Sequence, residues 1–198
     1  IPVYLNADGG TRGAGGGSSP PASAPPSSPP AAERPTFIPP DWTPVAGKPG
    51  EATGGCRTDN GYVVTSQNTA YQVCDVVEES LGKVGVQAAL IPKTGCAGFF
   101  IRRNGEPAEL FEACSHSHVK LRKWKENGEQ ETLGDREMYL TGQIRLGALL
   151  EDDVLRLYVG DAMILSVRDG SYQFGKVALT AKGDEIRFSG LTIWTKRK

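Results

Sequence analysis

The chain has 198 residues, including 25 Gly, 14 Pro and 4 Cys, and its 22 Lys plus Arg nearly balance 23 Asp plus Glu for a formal charge of −1. That balance excludes a phosphate-tracking nucleic-acid binder and a polybasic membrane patch, and no stretch approaches the roughly 20 apolar residues of a membrane-spanning helix. Twelve prolines precede Glu51, so two materials are joined: a low-complexity segment, 1–50, and a patterned segment, 51–198, long enough to bury its own core.

Ile1-Pro-Val-Tyr-Leu opens the chain as a short apolar run, which reads as the outer end of a membrane anchor or signal segment preceding this sequence. From Gly9 to Pro49 the composition is Gly, Ser, Ala and Pro. Such a segment has too few apolar side chains to offset backbone ordering, so it is expected to be a stalk or linker, flexible where Gly-rich and extended where Pro-rich. Phe37, Ile38 and Trp42 are its bulky late residues, and they either dock on the domain or mark where order begins.

After Gly55, short apolar runs alternate with turn signals at the spacing of an all-β sandwich. The strands expected are 61–65, 69–77, 84–91, 97–103, 107–114, 117–125, 139–148, 153–159, 162–168, 174–181 and 185–194. Asp75 to Gly85 is the one competitor for a helical turn. Turn pairs punctuate the series at Asn104-Gly105, Asn127-Gly128 and Gly160-Asp161. Gly at the first central position of Gly160-Asp161 suits a type II′ turn, which sets Val159 opposite Ala162 and Leu157 opposite Ile164.

The cysteines, Cys56, Cys74, Cys96 and Cys114, contain no CxxC pair, so structural zinc is weakly supported. A hairpin centred on Gly105 sets Cys96 opposite Cys114, and Cys56 and Cys74 are symmetric about Thr65. The expected bridges are therefore 56–74 and 96–114, with Cα atoms near 5.5 to 6 Å apart, in an oxidising, extracytoplasmic compartment, secreted or tethered to a cell surface.

The run from Leu150 through Tyr158-Val-Gly-Asp-Ala-Met to Arg168-Asp resembles the strand, turn, strand segment of concanavalin A-like lectin/glucanase sandwiches. Gly175-Lys-Val-Ala-Leu-Thr-Ala and the closing Ile186-Arg-Phe…Trp194 resemble the laminin-G-like and keto-disaccharide-hydrolase-like branches. Gly95-Cys-Ala-Gly-Phe-Phe-Ile-Arg-Arg with Ala108-Glu-Leu-Phe-Glu is similar to their central strand pair. The resemblance covers about 56–194 and implies an all-β, two-sheet antiparallel jelly roll. It implies glycan recognition as the functional class, and such heads occur as ectodomains, including those of bacterial receptor-type serine/threonine kinases. The Asp152-Asp153 pair matches a calcium position of laminin-G-like relatives, and it is equally an ordinary acidic turn.

The chemistry expected of the enzymes in this superfamily is missing. Their paired carboxylates lie on one strand as Glu-x-Asp-x-x-Glu, a run not found here; Glu109 and Glu112 differ by three and face opposite sides of a regular strand. A GxSxG elbow is missing too. The reading leans away from catalysis, with no catalytic residue, metal or cofactor assigned. His116 and His118 share a face but make two ligands, short of a site.

Parity provides a better candidate. In the 96–114 register Phe99, Ile101, Phe111 and Ala113 form a core face, joined by Val119 and Leu121. The opposite face carries Phe100, Arg102, Leu110 and Glu112, and continues to His116, His118, Lys120, Arg122 and Trp124. An apolar plate beside donors and acceptors is what sugar recognition needs. The candidate ligand-binding residues are Phe100, Arg102, Glu112, His118, Arg122 and Trp124; the alternative is an outer face covered by a loop or by the segment near Trp42. The expected function is non-catalytic recognition of a glycan or cell-wall fragment by a sensor or carbohydrate-recognition domain, with no nucleic-acid partner and with membrane contact only through the N-terminal anchor. The alternatives are a glycoside-processing enzyme of the keto-disaccharide-hydrolase-like type and a protein-adhesion module.

Overall fold

The computed structural model describes residues 34–46, 56–57, 62–65, 70–92, 94–115, 118–183 and 185–196. Among the described residues all regular structure is β, in two antiparallel sheets packed face to face. The strands are β1 (Thr43–Val45), β2 (Cys56–Arg57), β3 (Tyr62–Thr65), β4 (Gln72–Asp75), β5 (Val84–Leu90), β6 (Gly95–Arg103) and β7 (Ala108–Cys114). They continue with β8 (His118–Trp124), β9 (Gln130–Glu137), β10 (Ile144–Glu151), β11 (Val154–Val159), β12 (Ala162–Arg168), β13 (Lys176–Gly183) and β14 (Glu185–Thr195). One sheet runs β12-β11-β10-β5-β14-β3-β2 with β1 also paired to β14, and the other runs β4-β13-β6-β7-β8-β9.

The core follows from period-two alternation. Phe99, Ile101, Phe111, Ala113, Val119 and Leu121 of the six-stranded sheet are fully buried against Val86, Leu146, Leu157 and Phe188 of the other. The rings of Phe99 and Phe188 meet across the interface with centroids 6.5 Å apart. Each aliphatic side chain so placed contributes about 1.5–3 kcal/mol relative to exposure, which is why the six inward positions hold one register.

Both expected disulfides are present, Cys56–Cys74 and Cys96–Cys114. The second is the cross-strand pair of β6 and β7, in direct register, with Cα atoms 3.9 Å apart rather than the 5.5 to 6 Å expected. The first is not a hairpin closure. Cys56 lies on the edge strand of the larger sheet and Cys74 on the edge strand of the smaller one, so the bond joins the two sheets along one side. On the opposite side β9 and β12 close the sandwich, where Gly134 lies against the Leu165 and Val167 side chains.

Four features differ from the sequence reading. Strand β9 was not expected: QETLGDRE is polar because it is an edge strand with most side chains in solvent. Val159 does face Ala162 and Gly160 takes φ 61°, but a bulge after Leu157 sets that residue opposite Leu165 instead of Ile164. The segment after Asp75 forms no helical turn and is tied by a bridge between Leu81 and Gly175.

Finally, the sandwich begins before residue 51. Ile38 and Trp42 are buried with Leu149, Tyr158 and Trp194 on the outer face of the larger sheet, and Phe37 stacks on Tyr158 at 4.2 Å. That sheet is cut to receive them. A Cβ on Gly85 would collide with Ile38 Cδ1, and one on Gly147 would come within 2.6 Å of Phe37 Cζ. Arg34 then fastens the loop by donating to the carbonyls of Pro39 and Trp42.

Candidate functional site

The outer face of the six-stranded sheet is built by pairing in rows. Phe100, Leu110 and Arg122 lie side by side across β6, β7 and β8; Gly98, Glu112, Lys120 and Asp135 form the next row. Ala108, Trp124 and Gln130 flank one end, and Cys96, Cys114 and His118 the other. Four of the six candidate residues, Phe100, Glu112, Arg122 and Trp124, therefore meet around one patch. Trp124 and Phe100 contact edge-to-face with centroids 5.3 Å apart.

A residue outside the candidate set organises the patch. Tyr71, just before β4, leans over the sheet and packs edge-on against Trp124 at 5.3 Å and Phe100 at 6.2 Å. Its hydroxyl donates to Glu112 Oε2 at 2.6 Å. This partial cover leaves Phe100 and Glu112 buried, while Trp124 and Arg122 stay half-buried and reachable. Lys182 Nζ lies 5.2 Å from the Tyr71 ring centroid, a cation–π contact. The sequence places Tyr71 three residues before Cys74, inside a run that reads simply as strand, so the only signal was its aromatic character.

Glu112 is a fully buried carboxylate with two organised partners. Arg122 Nε lies 2.9 Å from its Oε1, close enough for an ion pair although the N–H is not aligned as a hydrogen bond. Burial pushes the Glu112 carboxyl above its ordinary range, opposed by the Tyr71 hydroxyl and the Arg122, Lys120 and Lys182 charges. Burial, followed by the neighbouring carboxylate, raises the Tyr71 hydroxyl, which is thereby kept as a proton donor. The group is a fixed donor–acceptor array beside aromatic edges.

The rim is polar. Arg122 Nη1 donates to Gln130 Oε1 at 2.9 Å, and Asp135 lies between His118 Nδ1 at 2.8 Å and Lys120 Nζ at 3.3 Å. His118 is thus on the predicted face but at its edge, in the row of the Cys96–Cys114 bond. His116 lies outside the described residues. Sulfur atoms of Cys96 and Cys114 approach Glu112, yet both are consumed by the disulfide and offer no metal ligand.

Arg102 does not belong to this face. It adopts φ 52°, which breaks the alternation after Ile101, because a bulge in the β6–β13 pairing brings Gly175 against its backbone; a Cβ there would collide with the Arg102 carbonyl group. The side chain is 3% exposed and turns to the end of the sandwich, where it donates to the carbonyls of Gly82, Tyr172 and Asp152. Behind it lies Glu109, fully buried, with Oε1 3.8 Å from Arg102 Nη1 and neither oxygen hydrogen-bonded. Burial pushes the Glu109 carboxyl up to about 8, against the pull of Arg102. Glu109 and Glu112 thus face opposite sides of β7, one inside the sandwich and one outside, and share no position for a scissile bond. Asp152 occupies the left-handed position of the β10–β11 turn and pairs with Lys83 at 2.7 Å.

No family model matches the chain, and no curated protein is a significant match to it in sequence. Solved structures do match in fold. The carbohydrate-binding module CBM66 from Bacillus subtilis superposes with a TM-score of 0.61 at 17% identity, covering 77% of this chain and 94% of that one. A Bacillus subtilis protein of unknown function with a galectin-like fold gives 0.57 at 13% identity, over 79% and 100% of the two chains. The β-glucanase of Bacillus licheniformis gives 0.51 at 11% identity, over 79% and 92%. At these identities the likeness speaks for architecture alone. The chain has the antiparallel jelly-roll sandwich shared by carbohydrate-binding module, galectin-like and β-glucanase structures.

Proposed function

We propose that this domain is a non-catalytic carbohydrate-recognition module whose glycan lies on the outer face of the six-stranded sheet, over Trp124. The observation that carries the reading is the patch itself: a half-buried indole held edge-on by Tyr71 and Phe100, next to the Glu112–Arg122 pair, on the sheet face opposite to the one where Phe37, Ile38 and Trp42 dock. Sugars present an apolar ring face and a set of hydroxyls, and an indole flanked by pre-oriented donors and acceptors matches both. The fold likeness to a carbohydrate-binding module supports the class of ligand. The two disulfides support an extracytoplasmic setting, with the Gly/Ser/Pro-rich residues N-terminal to Arg34 acting as a stalk that holds the head off its attachment, as in a receptor ectodomain.

The test is retention of the full chain on immobilised glycans and cell-wall fragments, compared with Trp124→Ala and Arg122→Gln. Retention by a defined subset of glycans, lost in both variants while each remains cooperatively folded at the assay temperature, is the expected outcome. Retention that survives both substitutions moves the ligand off this face, and failure to bind any glycan removes the reading.

A further inference from the structure

At one end of the sandwich lies a cleft of about 1150 Å³, bounded by the end of β1 at Pro44–Ala46, the loop 79–83, the β10–β11 turn, the loop 170–174 and the C-terminal end of β14. Its walls are fixed before any ligand arrives. Arg102 forms part of the lining and ties three walls together through the carbonyls of Gly82, Asp152 and Tyr172. The 170–174 loop is pinned further by Tyr172, whose hydroxyl donates to the Trp124 carbonyl at 2.8 Å, and by Asp169, 3.1 Å from Lys123 Nζ. Gly175 closes the loop through paired backbone bonds with Leu81.

The charges on the lining balance. Lys83, Arg102 and Lys196 face Glu79, Asp152 and Asp153. Most are already engaged: Lys83 with Asp152, Asp153 with Arg168, Lys196 with Asp41, and Arg102 with backbone carbonyls. An anionic ligand would have to break one of these pairs and would also meet the Glu79 carboxylate, which has no ion-pair partner among the described residues. The other groups that remain available are neutral. The Ser80 hydroxyl and the Gln173 amide line the cleft without partners among the described residues. The Phe174 ring is 56% exposed and lies against Gly82, where a Cβ would be only 3.0 Å from Phe174 Cε1. The missing side chain lets the ring lie close against the loop, where it lines the cleft and stays open to solvent. An exposed aromatic plate, neutral hydrogen-bonding groups and rigid walls fit a polyhydroxylated ring with one apolar face.

From this geometry we infer a second binding site, at the end of the sandwich, for a neutral saccharide unit stacked on Phe174 and oriented by Ser80 and Gln173. It is built from residues other than Trp124, Glu112 and Arg122, so it stands whether or not the sheet face binds glycan. The volume, slightly above the usual range of about 300–1,000 Å³ for small-molecule sites, suits a short oligosaccharide better than a single small molecule.

The experiment is an amide chemical-shift titration of the full chain with a panel of methyl glycosides of neutral hexoses and pentoses, set against the methyl glycosides of the matching uronic acids. The inference predicts that at least one neutral glycoside moves the resonances of Ser80, Gly82, Gln173 and Phe174, and that its uronic acid binds more weakly. Phe174→Ala should weaken that binding by about tenfold, and Trp124→Ala should leave it in place. Because Phe174 is mostly exposed, its variant should keep the wild-type thermal midpoint. The inference is overturned if no neutral glycoside perturbs these residues, if the uronic acids bind as well or better, or if Phe174→Ala leaves the affinity unchanged. Shifts confined to β7 and β8 would overturn it while leaving the sheet-face site intact.

Discussion

Trp42 offers the sharpest test of where the folded domain begins. It is 1% exposed, sealed between Ile38, Leu149, Tyr158 and Trp194 on the outer face of the larger sheet. Replacing a buried Trp by Ala costs about 3–5 kcal/mol in lost transfer free energy and cavity formation. One correction runs the other way. The indole Nε1 is buried without a hydrogen-bond partner, and deleting an uncompensated donor returns about 1–3 kcal/mol. Taking the middle of both ranges, the expected net loss for Trp42→Ala is about 2 kcal/mol, or about 4–8 °C in thermal midpoint for a domain of this size. Differential scanning calorimetry of the full oxidised chain reads it directly, with Phe99→Ala as an internal standard because Phe99 is fully buried between the sheets and has no polar atom. A shift below about 2 °C for Trp42→Ala, alongside a large one for Phe99→Ala, would refute the claim that residues 34–45 are part of the sandwich.

Arg102→Ala should destabilise by about 3–5 kcal/mol near neutral pH, since it strips three part-buried carbonyls of their donor; chemical denaturation measures this, and a change near zero would contradict the placement. Glu109 should impose a pH dependence of defined sign. Its folded carboxyl is raised from 4.5 to about 8, so the protonated form is the favoured one in the folded state. Stability should be full below about pH 4.5, fall by on the order of a few kcal/mol as pH rises toward 8, and level off above. Glu109→Gln, which stays neutral, should lack that fall, and identical pH profiles for the two proteins would exclude the assignment. The Arg102→Ala penalty should also grow above about pH 8, where Glu109 ionises and Arg102 is its counter-charge.

The inner half of the fold was legible because it depends on alternation alone. Phe99, Ile101, Phe111, Ala113, Val119 and Leu121 face inward as their parity requires, and the Cys96–Cys114 register follows from the same count. Cys56–Cys74 was paired correctly from a hairpin symmetry that does not exist; the bond runs between sheets, a relation that no local spacing encodes. Arg102 was misplaced because parity fails at a left-handed residue, and that conformation goes with the close approach of Gly175, just before β13 and more than seventy positions away. Strand β9 was hidden by its polarity, and Tyr71 by being a lid, since a side chain that folds over a sheet leaves no periodic trace. Whether Phe37, Ile38 and Trp42 dock was left open by composition, and Gly85 and Gly147, far along the chain, are what settle it, because the sheet makes room there for Phe37 and Ile38.

The three tryptophans make the central claim directly measurable. Trp42 and Trp194 are buried on the larger sheet, at 1% and 4% exposure, whereas Trp124 is half-buried at the proposed glycan site. Acrylamide quenching of the native protein should therefore report mainly on Trp124. If the account is right, a glycan retained in the affinity screen will shield this indole, lowering the quenching constant and shifting the emission to the blue, and Trp124→Ala will remove both changes. If the glycan binds with the quenching and the emission of Trp124 unaltered, the ligand lies elsewhere and the sheet-face site is wrong.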